Sequence, residues 1–232
     1  MNSSFQHNRT VPGWFGSSIL SLLLSVALPV TTSALEIQRV QTCSGTVLRL
    51  RGDIKEGDFS QLKSYFSGKE PIVGFDLSSD GGIFEEGLRI AGFTRRKKLT
   101  VYVAGECNSV CVDIFFAAAK RSFGAGSKIG VHAVSNYRDI EDTGSKLLTI
   151  KLARLWAERG IPNSAIGKMV TTRPETITYL DRTDLSALDA SEGNPFAYIA
   201  ENIGEAGQAR LKDCPTQSRA GGAVTREPVS AQ

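Results

Sequence analysis

The strongest constraint on this chain is a repeated order: a short apolar run, a glycine or polar turn, then a segment of helix length. Residues 71–77 (PIVGFDL), 99–104 (LTVYVA) and 128–132 (KIGVH) are such runs. They are short, and they lack the polar alternation of a strand with one wet face, which suits strands covered on both sides in a parallel sheet. Between them, residues 83–96 read as a helix with Ile83, Gly87, Leu88, Ala91 and Gly92 on one side. Residues 108–119 (NSVCVDIFFAAA) are apolar around nearly the whole circumference, so that helix should be buried on most sides. Residues 35–41 alternate as an exposed-edge strand would, and 46–51 (TVLRLR) form a second strand. A helix runs to about residue 66 with Asp58 as its N-cap, and two more follow at 143–159 and 162–170, the last with Pro162 at its first position. The alternation predicts an α/β fold of βαβ units, a mostly parallel sheet flanked by helices with right-handed crossovers.

The chain has 232 residues, 41% of them hydrophobic, enough to build a core without metals or a dense disulfide framework. Its net charge of +3 is too small for a nucleic-acid surface. The basic run at 95–98 reads better as a helix C-terminus, where cations complement the dipole. No GxxxxGK[ST] loop is present, and the cysteine spacing has no CxxC pair, so no nucleotide, metal or other cofactor is expected.

Residues 1–34 read as an export signal. Arg9 supplies the positive end, residues 19–30 (ILSLLLSVALPV) the apolar stretch, and Thr32, Ser33 and Ala34 the small residues of a cleavage site. An uncleaved membrane anchor is the alternative, and the only membrane contact expected. The folded domain is expected over 35–214, outside the cytoplasm in a periplasmic or extracellular space, with a disordered polar tail over 215–232. Four cysteines, Cys43, Cys107, Cys111 and Cys214, allow two disulfides in an oxidising compartment. Cys43 with Cys214 would tie the ends of the domain together. Cys107 and Cys111 would stiffen the turn between them, or remain a buried thiol pair.

Three features fall at the C-terminal ends of predicted strands, the edge where open parallel sheets bind ligands. The turn at 78–82 (SSDGG) offers backbone N–H groups to a developing oxyanion, or is simply a turn. Ser109 opens the buried helix, as a nucleophile or as an N-cap. His132 ends a strand and is the sole histidine once His7 leaves with the signal, so any imidazole base must be His132.

Taken in order, these residues resemble the Clp protease proteolytic subunit, within the Clp/crotonase fold group. Ser79-Asp80-Gly81-Gly82 is similar to the family's Ser-Pro-Gly-Gly-type turn. Asn108-Ser109-Val110-Cys111, running on to Ala117-Ala118, is similar to its nucleophile helix, and Ile129-Gly130-Val131-His132 to its histidine strand. The likeness covers about residues 46–188. The Cys-x-Ser-x-Cys pattern with Gly-Val-His is closer still to exported Clp-like proteins. The resemblance implies a serine peptidase acting on peptides or unfolded polypeptides and assembled as a homo-oligomer. Ser109 would be its nucleophile, His132 its base, and the Gly82 and Val110 amides its oxyanion hole.

The family's third member, an acid, has no counterpart at residues 169–173 (MVTTR), where only the hydroxyls of Thr171 and Thr172 are offered. Asp181 and Asp184 lie later, in a stretch that matches a structural region of the family. Asp113, inside the apolar helix, calls for a partner, either an Arg or Lys or a role as substitute acid. These departures keep open a catalytically impaired peptide-binding or scaffold protein on the same fold. A crotonase-type enzyme acting on a coenzyme A thioester ranks lower.

Overall fold

The structure is a computed structural model that describes residues 35–136, 138, 140–196 and the backbone of 198–200. The expected signal, Cys214 and the expected tail lie outside the described residues.

Two antiparallel strands open the domain, β1 (Glu36–Thr42) and β2 (Gly45–Arg51), followed by α1 (Asp58–Ser64). Then come β3 (Ile72–Ser79), α2 (Phe84–Lys97), β4 (Thr100–Asn108), α3 (Val110–Phe116), β5 (Lys120–Phe123) and β6 (Lys128–Val131). The remainder is α4 (Thr143–Glu158), α5 (Asn163–Thr171), β7 (Thr178–Tyr179), α6 (Arg182–Ala187), β8 (Ala190–Glu192) and β9 (Tyr198–Ala200). The sheet runs β7-β6-β4-β3-β2-β1-β9, with β5 on β4 and β8 on β5. The pairs joining β2, β3, β4 and β6 are parallel, as are those of β5 with β4 and β8. Antiparallel pairs occur at β1 with β2 and β9, and at β6 with β7. This is the α/β architecture that the apolar runs predict.

The core explains the runs. Phe75 and Leu77 of β3, Val101 and Val103 of β4, and Ile129 and Val131 of β6 are all buried, with α3 packed among them through Val112, Ile114 and Phe115. Gly87 of α2 lets the two helices close up, because a Cβ there would stand 2.3 Å from Val110 Cγ2. Inside the sheet, Asp76 accepts from Arg49 Nε at 3.1 Å and Arg51 Nη2 at 2.7 Å, so the buried charge is neutralised by its neighbouring strand.

Four local expectations change. The first strand is not an edge: β1 is paired on both sides, and β9, from the far end of the domain, covers it. Asp58 is the first residue of α1, not its cap. Gly57 takes the cap position at φ 92°, and Asp58 instead accepts the Lys55 amide at 2.6 Å. Pro162 caps α5 from just outside the helix. The predicted helix over 108–119 is shorter at both ends, because Asn108 still belongs to β4 and residues 120–123 form β5. That shortening puts Ser109 at the joint between strand and helix.

Candidate active site

The glycine turn after β3 is held by Ile54. The Ile54 N–H donates to Gly81 O at 2.6 Å, and the Ile83 N–H donates to Ile54 O at 2.8 Å. Gly81 and Gly82 adopt φ of 100° and 133°, which disfavour any side chain. Space forbids one too: a Cβ on Gly82 would meet Ile54 O at 2.1 Å, and one on Gly81 would meet Ser109 Cβ at 2.7 Å. The turn therefore lies directly against Ser109.

Ser109 itself sits at φ 55°, ψ −132°, a strained conformation for a residue with a Cβ. Two bonds hold it there. Its N–H donates to Gly130 O on β6 at 2.9 Å, and its C=O accepts the Val112 N–H at 2.9 Å. The Cys107–Cys111 disulfide, with Cα atoms 5.3 Å apart, bridges the same joint from below, and both cysteines are fully buried. Cys43 is disulfide-bonded as well. Asn108 adds a further tether, donating from Nδ2 to Asp80 Oδ1 at 3.0 Å and Glu106 Oε2 at 3.2 Å.

Ser109 occupies the N-cap position of α3, as the alternative reading has it, but its hydroxyl makes no capping bond and has no hydrogen-bond partner among the described residues. Nor do the backbone N–H groups of Gly82 and Val110. All three residues line a cavity of about 1020 Å³, which His132 also lines.

His132 follows the last residue of β6. Its Nδ1 lies 2.7 Å from Ala133 O. A carbonyl only accepts, so this bond requires the proton on Nδ1 and leaves Nε2 of the neutral ring as an acceptor, the form a general base needs. Neither threonine offered as an orienting group meets the ring. Thr171 Oγ1 donates to Gly167 O at 2.8 Å, while Thr172 Oγ1 bonds Lys168 O at 2.6 Å and Thr178 Oγ1 at 2.8 Å. What Thr172 supplies is its carbonyl, which accepts the Ala133 N–H at 2.9 Å and so fixes the peptide beside the histidine. No hydrogen bond joins Ser109 Oγ to His132.

Asp113 is 1% exposed and lines the same cavity. Its partner is not the expected Arg or Lys but Trp156 of α4, whose Nε1 donates to Oδ1 at 2.8 Å. Burial pushes its carboxyl up to about 7, with the indole bond and the charge of Arg159 pulling the other way. The sequence signal for Trp156 is its place at helical spacing with Ser145, Thr149 and Leu152 on one buried face of α4. Asp181 and Asp184 stand apart from the site. Asp181 caps α6 and, with Asp184, binds the Lys168 ammonium.

No family model matches the chain, and no curated protein does. Among solved structures it is similar to ClpP1 from Listeria monocytogenes, at a TM-score of 0.48 and 21% identity over 64% of this chain and 91% of that one. A mutant of the same Listeria protein is similar at a TM-score of 0.49 and 22% identity, over 64% of this chain and 92% of that one.

Proposed function

We propose that this chain is a serine hydrolase of Clp-protease type that cleaves peptide bonds, with Ser109 as nucleophile and His132 as its general base. The observation that carries this is the state of the Ser109 hydroxyl. It sits on a strained strand-to-helix joint, unused by the helix, in one cavity with an imidazole and two unpartnered amides. A serine hydroxyl becomes a useful nucleophile when a base takes its proton. The Nδ1–H bond to Ala133 O holds the imidazole with Nε2 as the acceptor for that proton. The Gly82 and Val110 amides are the donors for the oxyanion of the tetrahedral intermediate. A carbonyl in place of the third-member acid stabilises imidazolium less than a carboxylate does, so turnover should be slow. The enzyme would act outside the cytoplasm, in keeping with the signal-like segment and a buried disulfide. Homo-oligomer assembly belongs to the same proposal; Leu147 and Ile150, about half exposed on α4, supply apolar surface for it.

A fluorophosphonate probe tests the chemistry. It should label the protein on Ser109, with labelling abolished in Ser109→Ala and strongly slowed in His132→Ala. Labelling that survives Ser109→Ala would exclude the proposed nucleophile. The absence of a Ser109–His132 hydrogen bond favours one alternative, a protein that binds extended peptides in the same cavity without cutting them. Peptide binding equal in wild type and His132→Ala, with no labelling of either, would select it.

A further inference from the structure

The cavity beside Ser109 is lined by the buried carboxyl of Asp113 and by apolar side chains. Asp113 lies four residues beyond Ser109 on α3, a rise of about 6 Å along the helix, so its carboxylate sits one turn below the candidate nucleophile. Oδ1 is taken by the Trp156 indole, while Oδ2 has no hydrogen-bond partner among the described residues. No ion pair joins Asp113 to Arg159, the positive charge that acts on it from the end of α4. In its ionised form a carboxyl that is 99% buried, with one oxygen unpartnered and bordering a cavity, is costly unless a donor arrives from that cavity.

Two further observations say what kind of donor fits. Leu148, Leu152, Met169 and the Trp156 ring give the same cavity an apolar wall. Such a wall suits a methylene stem, the part of Lys or Arg that packs against apolar surface while its head seeks a charge. The more exposed lining, at the mouth, is acidic: among the described residues Asp53, Glu56, Glu85 and Asp142 line the cavity against Lys55 alone. Carboxylates around a cleft raise the local concentration of cations and repel acidic peptides.

We infer that this cavity receives a basic side chain of the substrate, arginine or lysine, and that Asp113 is the residue that selects it. The stem lies along Leu148, Leu152 and Met169, and the cationic head donates to Asp113 Oδ2 while Trp156 keeps Oδ1. The inference deepens the hydrolase proposal by naming the substrate class of the same site, yet it concerns binding and does not need turnover.

The test is therefore a binding measurement on the full chain carrying Trp14→Phe, which leaves Trp156 as the sole indole. The probes are an N-acetyl, C-methylamide arginine and the matching citrulline derivative, a neutral isostere of nearly the same shape. The arginine probe should bind at least tenfold tighter and shift the Trp156 emission, because it binds the carboxylate that holds the indole. Ser109→Ala should keep that preference, Asp113→Glu should keep most of it, and Asp113→Asn should abolish it. Equal affinities for the two probes in the otherwise unsubstituted chain would overturn the inference. So would an arginine preference untouched by Asp113→Asn, which would mean that the acidic mouth suffices. If Asp113→Asn fails to fold by circular dichroism, the indole signal decides instead, and arginine binding without an emission change overturns the placement. An arginine preference in a protein that no fluorophosphonate labels would leave this inference standing and sink the hydrolytic proposal.

Discussion

The amide of Ser109 donates to the carbonyl of Gly130 at 2.9 Å, and Gly130 lies on β6 two residues before His132, which directly follows that strand. The bond continues the β4–β6 ladder, in which Cys107 faces Ile129 and Asn108 faces Gly130. Register thus carries Ser109 to the strand that ends beside the imidazole. Backbone pairing thus ties the candidate nucleophile to the strand that the candidate base follows.

The glycine turn supplies the first prediction. At Gly82 a methyl group would stand 2.1 Å from Ile54 O and 2.9 Å from Ile54 N, both backbone atoms, at a φ of 133°. Neither can yield cheaply, so Gly82→Ala must displace the turn and its amide. Removing one oxyanion donor typically costs 10²–10³ in rate. Fluorophosphonate labelling of Gly82→Ala should slow by about a hundredfold, with a stability loss of about 1–3 kcal/mol in denaturant melts. Labelling at the wild-type rate would remove Gly82 from the oxyanion hole.

Asp113 should make stability depend on pH. Its folded-state carboxyl is raised to about 7, by burial first, against an ordinary value near 3.8. The folded state therefore holds a proton that the unfolded chain has released between about pH 4 and pH 7. Stability must fall as pH rises through that window and level off above it. The full effect is at most about 4 kcal/mol at 1.4 kcal/mol per pH unit. Asp113→Asn, whose amide oxygen can still accept from Trp156, should flatten this slope in urea melts at pH 5 and pH 8. An unchanged slope would mean that another group carries the pH dependence.

The sheet was legible in the sequence because strands such as 71–77 and 99–104 are buried on both faces, and burial writes itself as unbroken apolar runs. Ser109, His132 and the glycine turn were legible because residue type, order and strand ends coincide. The edge position expected for the first strand failed because β9, far away in sequence, supplies the missing partner, and local alternation carries no trace of it. Helix α3 was overextended because apolar residues fit β4, α3 and the segment before β5 equally well, and only the pairing of β5 with β4 and β8 ends the run. The bond from His132 Nδ1 to Ala133 O was invisible because backbone carbonyls have no residue type. Asp113 announced that it needed a partner, but Trp156 is 43 residues distant, and only the packing of α4 on α3 brings it near.

Asp76 tests the sheet rather than the site. Its carboxylate is buried in β3 and takes Arg49 and Arg51 from the neighbouring strand. Removing one partner of a buried pair leaves the other charges uncompensated, which typically costs 3–5 kcal/mol. The arginines here are partly exposed, so Asp76→Asn should cost less, about 2–3 kcal/mol in urea melts. A cost within about 0.5 kcal/mol of zero would show the pair to be surface-like.

The disulfide beneath Ser109 gives the last prediction. Cys107 and Cys111 close a very short loop, for which chain-entropy arguments give about 2 kcal/mol of stabilisation. Its larger effect should be local. It joins the penultimate residue of β4 to the first turn of α3 across a serine held at φ 55°, a conformation that persists only while its surroundings insist on it. The Cys107→Ala/Cys111→Ala pair, which introduces no buried hydroxyls, should lose about 2 kcal/mol in melts. Fluorophosphonate labelling should slow more than that loss explains when both proteins are held well below their midpoints, because the relaxed joint no longer presents the hydroxyl to the cavity. Wild type treated with a reductant should move the same way where the buried bond can be reached, and only partly in the native state. Labelling that stays at the wild-type rate in the folded double variant would show that the Gly130 and Val112 hydrogen bonds hold Ser109 in place without the disulfide.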